Sequence, residues 1–389
     1  MTETAFGMAA TERDDEALAR PFRSRSAILN YGFTGDETDL QSCTASIRRG
    51  SKSFHIASLI LPRQTRRAAH ALYAFCRHSD DIIDDTGRRP DALKRLRQRL
   101  DHIYEGRPSD HACDRAFARL VHDHRIPKGI PAALLDGFAM DVEDRHYRTI
   151  EEVKDYAAGV AATVGLMMSL VMGAKDSWTL ARAADLGLAM QLTNIARDVG
   201  EDARNGRLYL PLEWLDEVGL HADAFLRAPC FSRQLAEVIK RLLAEADRHY
   251  ALAHAGIEHL PVDCRHAIRT AALIYQDIGR TIVANGYDTV SSRARTTLPR
   301  KLILMMKAAR PIALAATDTN ASTIDASVAR LVAMAADAAA PSQGGQRSSP
   351  NASARVERFT SIMIELQRRS REDRRLRRLE RWERAGRLA

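Results

Sequence analysis

The sequence predicts an all-α protein whose helices enclose a polar interior site. Three observations carry that expectation. From about residue 41 to residue 310, apolar side chains recur at three- and four-residue spacing, and no alternating run is long enough to demand a sheet. Apolar residues make up 45% of the chain but aromatics only 6%; with Ala and Leu abundant, the mixture favours helix over strand. Prolines at 62, 90, 108, 127, 131, 211, 229 and 261 punctuate the pattern where loops or helix starts would fall.

The 389 residues suit one large helical domain with appendages. Residues 1–40 are polar and mixed in charge and read as an irregular extension. Residues 41–315 form the expected helical domain. Residues 316–354 include AAAPSQGGQRSSPNASA and read as a flexible linker. Residues 355–389 read as a basic helix, with Val356, Phe359, Met363 and Leu366 as one apolar stripe. That tail holds twelve arginines against six acids, so most of the net charge of +8 sits there. The main body is close to neutral, and nucleic acid is not an expected partner. The tail reads as a solvated or self-docked helix, with contact to an anionic membrane surface as the sharper alternative.

Five cysteines without CxxC spacing point to reduced thiols rather than a disulfide frame or a zinc site. The first residues carry no basic stretch followed by an apolar one, so the expected place is the cytoplasm, with peripheral membrane contact. The run Ala157–Ala174 has no charge over 18 residues, the lower limit for a membrane span. Its richness in Ala and Gly, with Thr163 and Ser169, fits a helix buried in a core instead.

Two segments carry the chemistry. In LYAFCRHSDDIIDD, Asp80, Asp81, Asp84 and Asp85 crowd four carboxylates into six residues. Such charges repel unless a cation intervenes. On a helix, Asp80 and Asp84 share a face, with Tyr73 and Arg77 upstream on the same stripe. Two hard carboxylates one turn apart suit Mg²⁺ shared with substrate phosphates.

The second segment is QLTNIARDVGED. Gln191, Asn194, Asp198 and Asp202 fall on one stripe of a mainly apolar helix. A polar stripe on an apolar helix implies a lined cavity, and the second Asp pair would face the first across it. Facing acidic pairs can hold divalent ions that grip a diphosphate and stabilise it as a leaving group. Arg77, Arg197, Arg204 and Arg207 are placed to offer positive charge to phosphate oxygens. The Ala157–Ala174 helix would supply an apolar wall that keeps water from a carbocation.

These motifs resemble the squalene/phytoene synthase family. The resemblance runs from about Cys43 to Lys301 and rests on SKSF (51–54), LYAFCRHSDDIIDD, Tyr156 with VAATVG (160–165), and NIARDVGEDARNGRLYLP. GYD (286–288) with Arg293 is a weaker marker. The resemblance implies an isoprenoid-synthase-type helical bundle around a central cavity. It implies that Asp80 and Asp84 form one diphosphate–Mg²⁺ site, with Mn²⁺ as an alternative ion. Asp198 and Asp202, helped by Gln191 and Asn194, would form the second. Ser51, Ser53 and Phe54 would border the first diphosphate and the reacting carbons. Tyr73, Arg77, Tyr156, Arg197, Arg207, Tyr209, Tyr275 and Arg293 would contact diphosphate or steady cations, with Arg295 a rival for Arg293.

The reaction implied is a head-to-head condensation of two prenyl diphosphates through a cyclopropylcarbinyl diphosphate. The wording of the first motif is closest to the bacterial phytoene-forming branch. That branch implies two C20 geranylgeranyl diphosphates and no NADPH. The alternatives are the same chemistry on C15 farnesyl diphosphate, giving presqualene diphosphate or dehydrosqualene, and a non-catalytic assembly factor of the same fold. A terpene cyclase is disfavoured because both motifs here are Asp-x3-Asp.

Overall fold

The computed structural model describes residues 36–85, 90–311 and 324–339. Among them every regular element is helical. In chain order these are α1 (Asp36–Gly50), α2 (Lys52–Ser58), α3 (Arg63–Asp85), α4 (Pro90–Tyr104), α5 (Ala112–Asp123) and α6 (Gly129–Val142). Next, α7 (Ile150–Ala157) passes through a π-turn (Ala158–Ala162) into α8 (Thr163–Met172). Then come α9 (Ser177–Arg204), α10 (Leu212–Glu217), α11 (Ala222–Arg227), α12 (Arg233–Ile257), α13 (Val262–Ala284), α14 (Leu298–Lys307) and α15 (Ala326–Ala339).

Local chemistry sets several boundaries. Ser51, Thr149, Asp176 and Ser232 cap α2, α7, α9 and α12, each side chain accepting from a backbone N–H three residues on. Gly173, in the left-handed region at φ +91°, stops α8. Pro90 opens α4, and Pro211 and Pro261 immediately precede α10 and α13.

The organising element is α9. It packs along α12 and also touches α8, the π-turn, α13 and α15. Its early residues Leu180, Ala184 and Leu188 join an apolar core with α3–α6, α8 and α15. Its later residues Leu192, Ile195, Ala196 and Val199 join a second core with α7, α10, α12 and α13. Where α9 crosses the π-turn the backbones meet directly. A Cβ on Gly187 would lie 2.6 Å from Ala162 Cα, so only glycine allows that approach.

The helix Ile150–Met172 is long and apolar enough to cross a membrane, yet 61% of its most apolar stretch is buried inside the protein. It is a core helix, as its Ala/Gly-rich composition led one to expect.

Two expected boundaries need correction. Residues 36–40, assigned to the irregular extension, already belong to α1. Residues 326–339, assigned to the linker, form α15. Val328, Leu331, Val332 and Ala335 are buried at helical spacing against the first core. The Pro/Ser/Gly-rich stretch that suggested a linker starts only after this helix. The rest of the predicted extension and linker, and the whole basic tail 355–389, lie outside the described residues.

Candidate active site

The site grows from one face of α9. Between Met190 and Ala203 the positions left unburied are Met190, Gln191, Asn194, Arg197, Asp198, Glu201 and Asp202. Leu192, Thr193, Ile195, Ala196, Val199, Gly200 and Ala203 are buried. Spacings of three and four put the first set on one side. The predicted polar stripe is therefore the part-exposed side of α9, while the rest of the helix is embedded. The half-buried Gly159, Val160 and Ala161 of the π-turn lie in the segment that packs on this same helix. A π-turn widens a helix locally and is common at functional sites.

On α3, Arg77 pairs with Asp80 (Nη1–Oδ2 3.2 Å) and with Asp81 (Nη2–Oδ1 2.6 Å). Asp84, the next acid on the stripe, is held by Arg207 from the loop after α9 (Nη2–Oδ1 2.8 Å). This contact brings the two acidic motifs to a common site. Asp80 is pushed up to about 6, first by burial and then by the charge of Asp84.

On α9, both oxygens of Asp198 accept from guanidinium groups. Arg197 Nε lies 2.7 Å from Oδ1, and Arg293 donates from Nε at 2.7 Å and Nη2 at 3.0 Å. Burial alone would raise Asp198, but Arg197 and Arg293 outweigh it and hold the carboxyl below its usual range. Asp202 behaves oppositely: burial, then Asp198 and Glu201, push it up to about 7. Asn194 donates to Gln191 Oε1 at 3.3 Å, while its own Oδ1 is buried without a partner.

Arg293 is thus the arginine placed on the second motif, by a segment docked through Gly200. Gly200 N–H donates to Thr289 O at 3.3 Å, and a Cβ there would sit 2.5 Å from Val290 Cα. Arg204, offered above as a phosphate contact, instead donates to the Val290 carbonyl at 3.1 Å. It anchors that segment.

Aromatic residues cluster beside the acids. Phe54 stacks on Tyr275 with centroids 5.0 Å apart and meets Tyr73 edge-on at 6.5 Å. Ser51, which caps α2, stands beside Tyr275 and lowers its hydroxyl against the effect of burial, and Ser53 is half-buried two residues on. Burial pushes the Tyr73 hydroxyl up to about 12. Tyr156 and Tyr209 stack at 5.0 Å.

Those two tyrosines converge on a residue that sequence reasoning missed. Asp141, at the end of α6, accepts from the Tyr209 hydroxyl at 2.6 Å and the Tyr156 hydroxyl at 3.2 Å. Burial pushes Asp141 up to about 6; the tyrosine hydrogen bonds oppose the shift, and Asp80 and Asp84 add to it. Asp141 also raises Asp202. It therefore stands within electrostatic reach of both acidic pairs. One signal was available: an acid in the last turn of an apolar helix, where the helix dipole disfavours negative charge.

The donors suit a hard divalent cation. They are carboxylate and amide oxygens, one of them, Asn194 Oδ1, buried and unpartnered, and at Asp80 and Asp202 burial and neighbouring acids outweigh the nearby arginines.

Helical bundle, paired aspartate motifs and bridging arginines together define a site for a diphosphate-bearing substrate. Comparison with known proteins agrees. The family model for squalene/phytoene synthase matches residues 47–301. The phytoene synthase of Cereibacter sphaeroides is 44% identical over 344 residues, covering 86% of this chain and 95% of that protein. The phytoene synthase of Rhodobacter capsulatus is 48% identical over 276 residues, covering 70% and 81%. Among solved structures, a dehydrosqualene synthase superposes with a TM-score of 0.66 at 29% identity, covering 71% of this chain and 97% of that one. The chain belongs to the squalene/phytoene synthase family.

Proposed function

We propose that this protein is a phytoene-forming prenyltransferase. It joins two geranylgeranyl diphosphates head to head, through a cyclopropylcarbinyl diphosphate, and supplies a C40 hydrocarbon for carotenoid synthesis. The single observation that carries the reading is the polar face of α9 tied to the Asp80–Asp84 face of α3 through Arg207. Relatives at 44% and 48% identity bearing the name phytoene synthase support the C20 substrate over the C15 one.

Asp80, Asp84, Asn194, Asp198 and Asp202 would hold Mg²⁺ or Mn²⁺. When bound, the ion supplies charge neutralisation that makes diphosphate a better leaving group. Arg77, Arg197, Arg207 and Arg293 pair with acids here and are the guanidinium groups available to phosphate oxygens. Phe54, Tyr73 and Tyr275 present π-faces that favour a cation passing beside them. The π-turn and α8 exclude water, so the cation reacts with the second double bond rather than with solvent. Loss of a proton from the last cation ends the sequence without hydride, which is why no NADPH is required. Asp141 fixes Tyr156 and Tyr209. The same proposal puts the reaction in the cytoplasm, with its lipid product released towards a membrane.

Product analysis tests this directly. Purified protein with Mg²⁺ receives farnesyl or geranylgeranyl diphosphate, with and without NADPH. A C40 hydrocarbon from geranylgeranyl diphosphate alone is expected. A C30 product from farnesyl diphosphate alone would move the protein to the squalene branch. No product from either would make it a non-catalytic member of the fold.

A further inference from the structure

Away from the acidic site, α1, α2 and the start of α3 enclose a groove of about 780 Å³. Arg48, Arg49, Arg63, Arg66 and Arg67 line it, against a single acid, Glu37, which pairs with Arg67. Leu40, Ala45 and Leu59 make part of its wall apolar. The groove is therefore amphiphilic, with several guanidinium groups facing one carboxylate.

A second observation lies next to it. Leu59 also packs beside Ile56 and Met305, the contact that docks α14 on α2. On its outer side α14 leaves Ile303 41% and Met306 48% exposed, among the few large apolar side chains so exposed in the described residues. They are three residues apart and share a face. Lys307 and Arg310 are exposed just beyond them. Lys301 on the same helix is lowered, by burial first and then by nearby Lys52 of α2. Positive charge is therefore concentrated across the α2–α14 junction.

We infer that this face, the arginine-lined groove together with the outer side of α14, docks on an anionic phospholipid bilayer. Lipid phosphates lie against Arg48, Arg49 and Arg63, and Ile303 and Met306 enter the interfacial layer. Cationic side chains flanking exposed apolar ones are the pattern that holds peripheral proteins at such surfaces. Nucleic acid fits less well: the groove lining has no Phe, Tyr or Trp on which bases could stack, and a phosphate backbone gives Ile303 and Met306 no use. The purpose of the contact, exchange of lipid-tailed substrate and product, rests on the proposed function; the contact itself does not.

The test is co-sedimentation of the full chain with vesicles of phosphatidylcholine alone or mixed with phosphatidylglycerol. Wild type is expected to bind the mixed vesicles and to release as salt rises. Arg48→Glu/Arg49→Glu/Arg63→Glu should lower partitioning by about tenfold or more, from the known contribution of each basic residue near a charged bilayer. Ile303→Ser/Met306→Ser should remove the part that survives high salt. Both variants should keep the helical spectrum and turn over detergent-dispersed substrate. Unchanged vesicle binding by the charge-reversed variant, with the basic tail still in place, overturns the inference. So does a variant that loses retention on RNA while keeping vesicle binding. Failure of the proposed reaction would appear separately, as wild type that makes no product whether or not it binds vesicles.

Discussion

Arg207 reaches Asp84 across 123 residues of sequence, its Nη2 donating to Oδ1 at 2.8 Å. One residue follows α9 and the other belongs to the acidic run at the end of α3. The contact makes the two motifs one site and sets a guanidinium against the acidic run of α3.

Arg207→Ala should therefore lower kcat/KM by about a hundredfold, the usual loss when one fixed charge-stabilising donor is removed. Arg207→Lys should recover only part, because an ammonium lacks the planar fork. Steady-state kinetics at saturating Mg²⁺ would read both. An unchanged kcat/KM in the alanine variant would remove Arg207 from the site.

Asp84→Ala and Asp198→Ala are expected to abolish turnover while circular dichroism stays helical. Both side chains face the open side of their helices, so neither supports the core. Unfolding of both variants would instead assign them a structural role.

Asp141 should matter through the tyrosines it holds. Asp141→Ala leaves two hydroxyls without their acceptor and should cost more activity than Tyr156→Phe or Tyr209→Phe alone. Asp141→Asn keeps an acceptor oxygen and should fall between. If the double variant Asp141→Ala/Tyr209→Phe were exactly additive, the two residues would not act together.

The raised acids give stability a pH signature. Asp202 is pushed up to about 7 from 3.8, so the folded state holds its proton more tightly than the unfolded one. Between those values the native state binds more protons, and this contribution falls as pH rises. Buried His70 and His254 and half-buried His78 and His266 are lowered, chiefly by desolvation, and act in the opposite direction. The informative quantity is therefore a difference: in EDTA, Asp202→Asn should melt above wild type at pH 8 and close to it at pH 4. Mg²⁺ should raise the wild-type Tm at pH 8 more than that of the variant. Equal melting of the two proteins at pH 8 would contradict the crowding of Asp198, Glu201 and Asp202.

Gly200→Ala tests the docking of the Arg293 segment. The new Cβ meets the backbone of Val290 at 2.5 Å. Overpacking of this kind costs about 1–3 kcal/mol. Urea denaturation should show that loss, and displacement of Arg293 from Asp198 should lower activity as well. Full activity at full stability would mean that the segment relaxes without moving Arg293.

The helical class, the two aspartate stripes and the arginines beside them were legible because each is a periodic pattern within one element. Asp80 with Asp84, and Asn194 with Asp198 and Asp202, need only the helix repeat to share a face. Helix α15 was missed although it has the same kind of stripe, because the low-complexity stretch beyond it governed the reading of the whole segment. What the sequence alone determined is which residues line one side of each helix and what chemistry they offer. Only the tertiary structure decided which sides meet. Arg204 and Arg207 are three residues apart, yet one anchors Val290 and the other crosses to Asp84. Asp141 carries no motif, and its place between Tyr156 and Tyr209 depends on how α6, α7 and the loop after α9 pack together. Such contacts depend on close packing between elements distant in the chain, which no local repeat encodes.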